Sequence, residues 1–404
     1  MSIDAALDAY LRDGLEDAVV DLVRQAAEVP GFAARLKAAG MEPTAVRSVA
    51  DLSALPVLPK DQVIGLQREQ PPFGGVLAEG AEVVRVFQSP GPLYEPQLAG
   101  ADSWRWGQVL ADMGVGPGDT VLNCFGYHLS PAGAMMEEGA RAVGARVLPG
   151  GIGNLDLQVQ AIADLGLTAY VGLPSYLKSL IERFHEAGHP AQSWRLERAM
   201  VTAEPMPDTL RVLLSEHVGT VRMAYGTGET GLLAYENGDG AAMVLADGVL
   251  VQVCDIASGE PITDDTEGEV VVTVLRPDYP LARFGTGDVS GWTLGPDGSL
   301  RLRGVLGRTG SAVKVKGMFL HPAQVTSVMD TLPQVADYRF VIGRVDHRDT
   351  LRCEVVAEPG ADLDALVAAV GERVREGLRF RADVVPVETL TEGDGPLVDT
   401  RDWS

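Results

Sequence analysis

Met223-Ala224-Tyr225-Gly226-Thr227-Gly228-Glu229-Thr230 is the stretch on which the reading of this chain turns. It follows a strand-like run, and its glycines mark a tight turn. A nucleotide needs an aromatic face for its purine, close approach of the backbone, and a carboxylate to hold Mg²⁺. Tyr225, Gly226 and Glu229 are residues of those kinds. Gly226, Gly228 and Gly231 also spell GxGxxG. As a dinucleotide fingerprint this fails, because the run from Gly231 to Gly238 is too short for the helix that motif must open. Taken alone, a glycine-rich turn is more often structural than functional.

Working outward, Arg283-Phe284-Gly285-Thr286-Gly287-Asp288 comes next. Gly307-Arg308-Thr309-Gly310 follows and leads into Val313-Lys314-Val315-Lys316-Gly317. In this order and at this spacing the blocks resemble the nucleotide-binding blocks of the adenylate-forming (acyl-CoA synthetase-like) superfamily, and within it the phenylacetate–CoA ligase branch. The resemblance covers nearly the whole chain. Pro30-Gly31-Phe32, residues 52–58 and Pro59-Lys60-Asp61 look like the N-terminal helices of that branch. Ala203-Glu204-Pro205 looks like its adenine-facing segment, and Phe125-Gly126-Tyr127-His128 through Gly133 like its acid-pocket segment.

The resemblance implies an α/β, two-domain adenylate-forming fold. Residues 1–306 would form a large AMP-binding-like α/β domain with a β-rich subdomain, and 307–404 a small mobile α+β domain. It implies that Ala203, Glu204, Pro205, Tyr225, Gly226 and Thr227 contact a nucleotide. Asp288 would accept hydrogen bonds from both ribose hydroxyls, and Arg308 would reach ribose and phosphate. Glu229 would hold Mg²⁺, and Gly310 stands at the hinge. Tyr127, His128 and Met135 would line an acyl pocket. There a neutral His128 imidazole could orient a carbonyl or act as a base, and a structural, hydrogen-bonded histidine is equally compatible. Some members carry a Cys/His zinc site in the β-rich segment. Here Cys254 alone lies between Glu229 and Asp288, with no histidine, so no zinc is expected.

Two blocks depart from the pattern. The family's triphosphate loop is a Ser/Thr/Gly-rich run ending in Lys-Pro, whose hydroxyls and N–H groups cradle phosphates. Here it reads Gln88-Ser89-Pro90-Gly91-Pro92-Leu93-Tyr94-Glu95-Pro96. Ser89, Gly91 and Pro96 keep register. Pro90 and Pro92 remove two backbone donors, Leu93 and Tyr94 replace a hydroxyl and a glycine, and Glu95 puts negative charge where lysine met phosphate. The family's C-terminal adenylation lysine should follow a Glu-Gly pair, but Thr391-Glu392-Gly393 is followed by Asp394. Lys37, Lys60, Lys178, Lys314 and Lys316 are all the lysines in the chain. Ordinary ATP-dependent adenylation is therefore expected to be absent or impaired.

Three functional readings follow. The chain is an active acid–CoA ligase using substitutes such as Tyr94 and Arg401, or it accepts an already activated acyl group (acyl-adenylate or CoA thioester) without ATP. The third is a non-catalytic nucleotide- or acyl-binding protein. The implied ligands are an AMP- or ATP-like nucleotide or CoA, and a small carboxylic acid, aromatic by the family's default. The branch often forms dimers, so a homodimer is an expectation.

Composition bounds the rest. The 404 residues are long enough for one large core plus a smaller one. A formal net charge of −23 argues against a nucleic acid or anionic membrane as partner, since both demand a basic face. Cys124, Cys254 and Cys353 form no CxxC pair, which fits a reducing compartment. With no signal-peptide pattern after Met1 and no apolar spanning run, a cytoplasmic protein is expected. His185-Glu186-Ala187-Gly188-His189 spells HExxH, but Gly188 and Pro190 mark a helix end, so His189 should lie past the last turn. From residue 80 the pattern alternates: strand at 83–87, helix at 101–113, strand at 120–124, helix at 132–143, strand at 145–148. That is the signature of a mostly parallel sheet covered by helices. Short strands are expected over 240–305, then strands and a helix at 363–377 in the small domain.

Overall fold

The computed structural model describes residues 2–89, 93–309, 313–316, 318–320, 322–346, 348–390 and 395–401. Contacts divide the chain into two compact units, Met1–Thr309 and Gly310–Ser404. The division falls after Thr309 because Gly307–Arg308 pairs as a short strand with Phe284–Ser290, and the Thr309 N–H donates to the Gly287 carbonyl at 2.9 Å.

The first unit is built on a seven-stranded sheet, in the order Val244–Leu245, Gly231–Tyr235, Thr220–Thr227, Arg198–Val201, Ala169–Gly172, Thr120–Asn123, Arg146–Pro149. The five strands from Thr220–Thr227 to Arg146–Pro149 run parallel. Ala169–Gly172 is buried at every position, as a strand covered on both faces must be. The covering helices bury one stripe each. In Pro174–Glu186 this is Leu177, Leu180, Ile181 and Phe184, a helical period, and burial contributes about 1.5–3 kcal/mol per large apolar side chain. That helix starts on proline and ends at Glu186, before Gly188 at φ +71°, so His189 lies past its last turn.

A second sheet holds the β-rich segment, in the order Leu58–Pro59, Phe284–Ser290, Gly268–Val274, Val249–Cys254. Val83–Ser89 and Leu93–Leu98 form a separate hairpin. The helix expected over 101–113 is shortened to Gly107–Asp112. Asp102 and Arg105 take left-handed φ values of 50° and 68°, and the Asp102 carboxylate accepts from the Trp106 and Gly107 N–H groups at 2.9 and 2.6 Å. An aspartate that bonds nearby backbone in this way offers the chain an alternative to helix.

The second unit has a four-stranded sheet, ordered Asp383–Pro386, Arg348–Ala357, Val335–Val345, Leu397–Asp399. Helices Pro322–Met329 and Leu363–Gly377 accompany it over a core that includes Val325, Phe340, Val355 and Val370. Among the described residues no helix is long and apolar enough to cross a membrane.

Candidate functional site

The site is prepared by strand order. Thr120–Asn123 has Arg146–Pro149 on one side and Ala169–Gly172 on the other, so the chain steps outward to Arg146–Pro149 and then crosses back, and the strand order reverses here. At such a switch point the loops at the carboxyl ends part and leave a crevice. The loops at the carboxyl ends of these parallel strands carry most of the residues singled out in the sequence: 125–128, 203–205 and 225–229.

Asn123 closes its strand and folds the first loop back. Its amide donates to the Tyr127 hydroxyl and the Gly133 carbonyl, both at 2.8 Å, and its carbonyl accepts from the Phe125 N–H at 3.1 Å. Tyr127 is half-buried, Met135 is buried, and His128 stands exposed. Next to His128, the Leu129 carbonyl accepts from the Gln88 N–H at 2.8 Å and ties the loop to the hairpin. After Arg198–Val201, Ala203 takes φ +72°. The Ser175 hydroxyl donates to buried Glu204 at 2.5 Å.

The turn 225–229 needs its glycines. A Cβ on Gly226 would collide with the Gly231 carbonyl, and one on Gly228 would lie 2.9 Å from a Glu95 carboxylate oxygen. Tyr225 is buried and donates from its hydroxyl to Asp288 at 3.0 Å. Burial, then the Asp288 charge, raises that phenol well above its ordinary range. The other Asp288 oxygen accepts from Arg308 Nε at 2.7 Å, and the Asp288 N–H donates to Thr286 at 3.1 Å. Thus three blocks far apart in sequence meet in one network. Each Asp288 oxygen keeps a further lone pair, the capacity that two ribose hydroxyls require.

Glu229 has a partner that sequence reasoning missed. The Lys60 ammonium lies 2.6 Å from its carboxylate, with side chains 23% and 6% exposed respectively. Lys60 opens the helix Lys60–Glu69, and the preceding residues Leu58–Pro59 pair with Phe284–Gly285 on the strand that carries Asp288. One signal was readable. A lysine in a helix's first turn opposes the helix dipole, which is a notable placement in a chain with so few lysines.

Glu95 completes the cluster. It is 2% exposed, and among the described residues neither carboxyl oxygen reaches full hydrogen-bond geometry. Burial, then the neighbouring Glu229 charge, pushes its carboxyl up to about 8 against the pull of Lys60 and, more weakly, of the nearby Ser89 side chain. For Lys60, burial works downward, but Glu229 and Glu95 outweigh it and hold the ammonium above the usual lysine range. For Glu229, burial works upward and Lys60 outweighs it, holding the carboxylate below its usual range. A cavity of about 20 Å³ lies against Glu95, Gly228, Glu229 and Thr230, room for about one water molecule. With an ammonium seated on Glu229, these residues as arranged do not fit a divalent cation there. Among the described residues, no group of three or more His, Cys, Asp or Glu side chains is placed to hold a metal ion.

The Glu95 environment sets a pH dependence. Its folded value lies above the ordinary 4.5, so across that window the folded state holds a proton the unfolded chain has released, and stability falls as pH rises. In Glu95→Gln this contribution is lost. Its urea midpoint is expected to decline less than wild type's from pH 5 to 8, and parallel declines would contradict the assignment.

The remaining singled-out residues lie elsewhere or are not described. Ser89 pairs with Leu93 in the hairpin. The Tyr94 side chain is exposed, while its backbone N–H and carbonyl bond the Gln67 amide at 2.8 and 2.7 Å. In the second unit, Arg401 bonds Asp399 at 2.6 Å and Asp349 at 3.1 Å. Gly91, Gly310 and Asp394 lie outside the described residues.

Against this geometry the relatives are informative. Phenylacetate-coenzyme A ligase of Thermus thermophilus is 30% identical over 352 residues, covering 82% of this chain and 78% of that protein. The chain belongs to the phenylacetate–CoA ligase family. The Escherichia coli phenylacetate-coenzyme A ligase is 25% identical over 344 residues, covering 81% and 78%. No protein-family model matches the chain. The fold is that of a 2-hydroxyisobutyryl-CoA ligase solved with 2-HIB-AMP and CoA, with TM-score 0.88, 22% identity, and 96% of this chain and 90% of that one covered. An amide bond synthetase from Marinactinospora thermotolerans shares it at TM-score 0.59 and 18% identity, over 76% and 65%. The adenylate-forming fold and membership of an acid–CoA ligase family are thereby established.

Proposed function

We propose that this chain handles a carboxylic acid that arrives already activated, as an acyl-adenylate or a CoA thioester, and lacks ordinary ATP-dependent adenylation. The observation that carries this is the buried Glu95 carboxyl, at the position where the family's phosphate loop ends in lysine. A triphosphate there would meet a carboxyl pushed up to about 8 in place of a cation, so the attraction a lysine would supply, several kcal/mol at the effective dielectric of a partly buried site, is missing. Pro90 and Pro92 add two missing donors.

The ligase alternative needs substitutes, and the two candidates are placed badly for it. Tyr94 is exposed, and Arg401 is neutralised by Asp399 and Asp349. The nucleotide side supports binding of an adenylate or of the adenine end of CoA: Tyr225, Asp288 and Arg308 form one network, with Ala203, Glu204 and Pro205 as the adenine-facing segment. The large unit is thus the nucleotide-binding domain of this reading. Tyr127 and Met135 line the acyl side, which suits an aromatic acid, and His128 is the candidate to orient its carbonyl. Transfer from a thioester breaks the carbonyl C–S bond and joins the carbonyl carbon to the acceptor's nucleophilic atom. The acceptor's proton goes to the departing thiolate. The protein is proposed to act in the cytoplasm, as a homodimer.

The test is a paired assay with aromatic acids and their CoA thioesters. ATP–pyrophosphate exchange is expected to be absent, while calorimetry detects AMP or CoA binding and the thioester is consumed without ATP. Robust acid-dependent exchange would return the chain to the ligase reading. Ligand binding without turnover of any donor would leave a binding protein.

A further inference from the structure

The disagreement between the cluster at Glu229 and the cation its family resemblance implies has a physical reading, which rests on the proposed function only in sharing its site. We propose that Lys60 is the resident counter-cation of this site, standing where a divalent metal would otherwise neutralise Glu229 and Glu95.

Two buried carboxylates side by side, with hydroxyls and room for a water, are a donor set for a small hard cation, which is commonly held by one or two carboxylates and completes its shell with water. Glu229 and Glu95 meet that description. Glu95 abuts the backbone at Gly228, the Ser89 side chain acts on its carboxyl, and Thr227 and Thr230 share a hydroxyl contact of 2.9 Å beside it. The ammonium at 2.6 Å already supplies the opposing charge. It is a compact point charge with three donors, so it can serve the same electrostatic purpose. A metal ion and an ammonium cannot both occupy this position.

The fold is arranged to deliver Lys60. The pairing of Leu58–Pro59 with Phe284–Gly285 sets the start of the helix beside the Asp288 strand. Other nearby cations are engaged elsewhere: Arg105 with the Thr230 and Leu232 carbonyls, Arg276 with Asp278 at 2.6 Å, Arg308 with Asp288 at 2.7 Å. Ligand binding at this site therefore needs no divalent cation, and removing Lys60 should create a cation site that wild type lacks.

The experiment uses the full chain and Mn²⁺ as probe, by calorimetry and thermal melting. Wild type is expected to show no Mn²⁺ binding that Glu229→Gln removes, and a melting temperature indifferent to Mn²⁺. Lys60→Met leaves the buried Glu229 carboxylate uncompensated, so its melting temperature should fall by about 5 °C or more. Mn²⁺ should restore most of that loss, binding the variant about tenfold or more tighter than wild type. Lys60→Met/Glu229→Gln should not respond. Mn²⁺ bound by wild type and lost in Glu229→Gln overturns the proposal, and this arm holds even if Lys60→Met does not fold. A folded Lys60→Met that ignores Mn²⁺ overturns it equally. A wild type that binds no Mn²⁺ on its own yet catalyses acid-dependent pyrophosphate exchange would sink the functional reading and leave the role of Lys60 standing.

Discussion

Glu95→Lys is expected to raise the affinity for Mg·ATP by about tenfold or more, with AMP affinity changed far less. The substitution places a cation where the phosphate loop ends, in a pocket where the Glu95 carboxyl is buried and pushed up to about 8. A unit charge a few ångströms from a phosphate is worth several kcal/mol in partly buried surroundings, so introducing one moves affinity strongly. Two effects keep the gain below the full Coulomb term. Pro90 and Pro92 still lack N–H groups, and the new ammonium competes with Lys60 for Glu229. AMP has no β- or γ-phosphate to sense the change. Parallel titrations of wild type and variant with Mg·ATP and AMP check this, and equal Mg·ATP affinities would show that Glu95 is not the barrier.

Arg308→Ala is expected to cost the first unit about 3 kcal/mol and to abolish measurable AMP binding. Arg308 donates to Asp288 at 2.7 Å, with side chains 19% and 9% exposed. Removing it leaves a nearly buried carboxylate held by Tyr225 alone on its side-chain oxygens among the bonds described above. The strand Gly307–Arg308 also pairs with Asp288 and Val289, but a substitution to alanine keeps those backbone bonds, so the loss reports on the charge. Arg308→Ala/Asp288→Asn should recover part of the stability and none of the AMP binding, because the amide no longer needs a cation yet accepts fewer hydrogen bonds. Urea unfolding of the single and double variants gives the coupling. Additive losses would mean the ion pair does not hold this corner together.

Much of the scaffold was legible because it is written in local chemistry. The 3.6-residue period marks Leu363–Gly377, and the alternation of strands and helices announces the parallel sheet. The tight turn at the end of the 225–229 block could be read because its glycines permit close approaches that other residues forbid, whereas the 283–288 block is largely strand, within Phe284–Ser290. The stretch 101–113 misled for the opposite reason. Its apolar spacing suits a helix, but Asp102 bonds the backbone ahead and leaves only Gly107–Asp112 helical.

The substitutes proposed for the missing groups were less legible. Tyr94 and Arg401 have suitable chemistry, but exposure and partners are tertiary facts. A hairpin faces Tyr94 outward, and two aspartates hold Arg401.

By itself, then, the amino-acid sequence determined the family, the order of the blocks that carry the resemblance and the positions at which the chain departs from the family's pattern. These follow from residue identity at short range, where turn geometry and charge are set by neighbours in the chain. Only the tertiary structure decided that Lys60 faces Glu229 and Glu95. That meeting depends on the register of Leu58–Pro59 against Phe284–Gly285 and on a hairpin bringing Glu95 to Gly228. Burial then does the rest, because where water is excluded a carboxylate such as Glu229 compels a cation to pair with it.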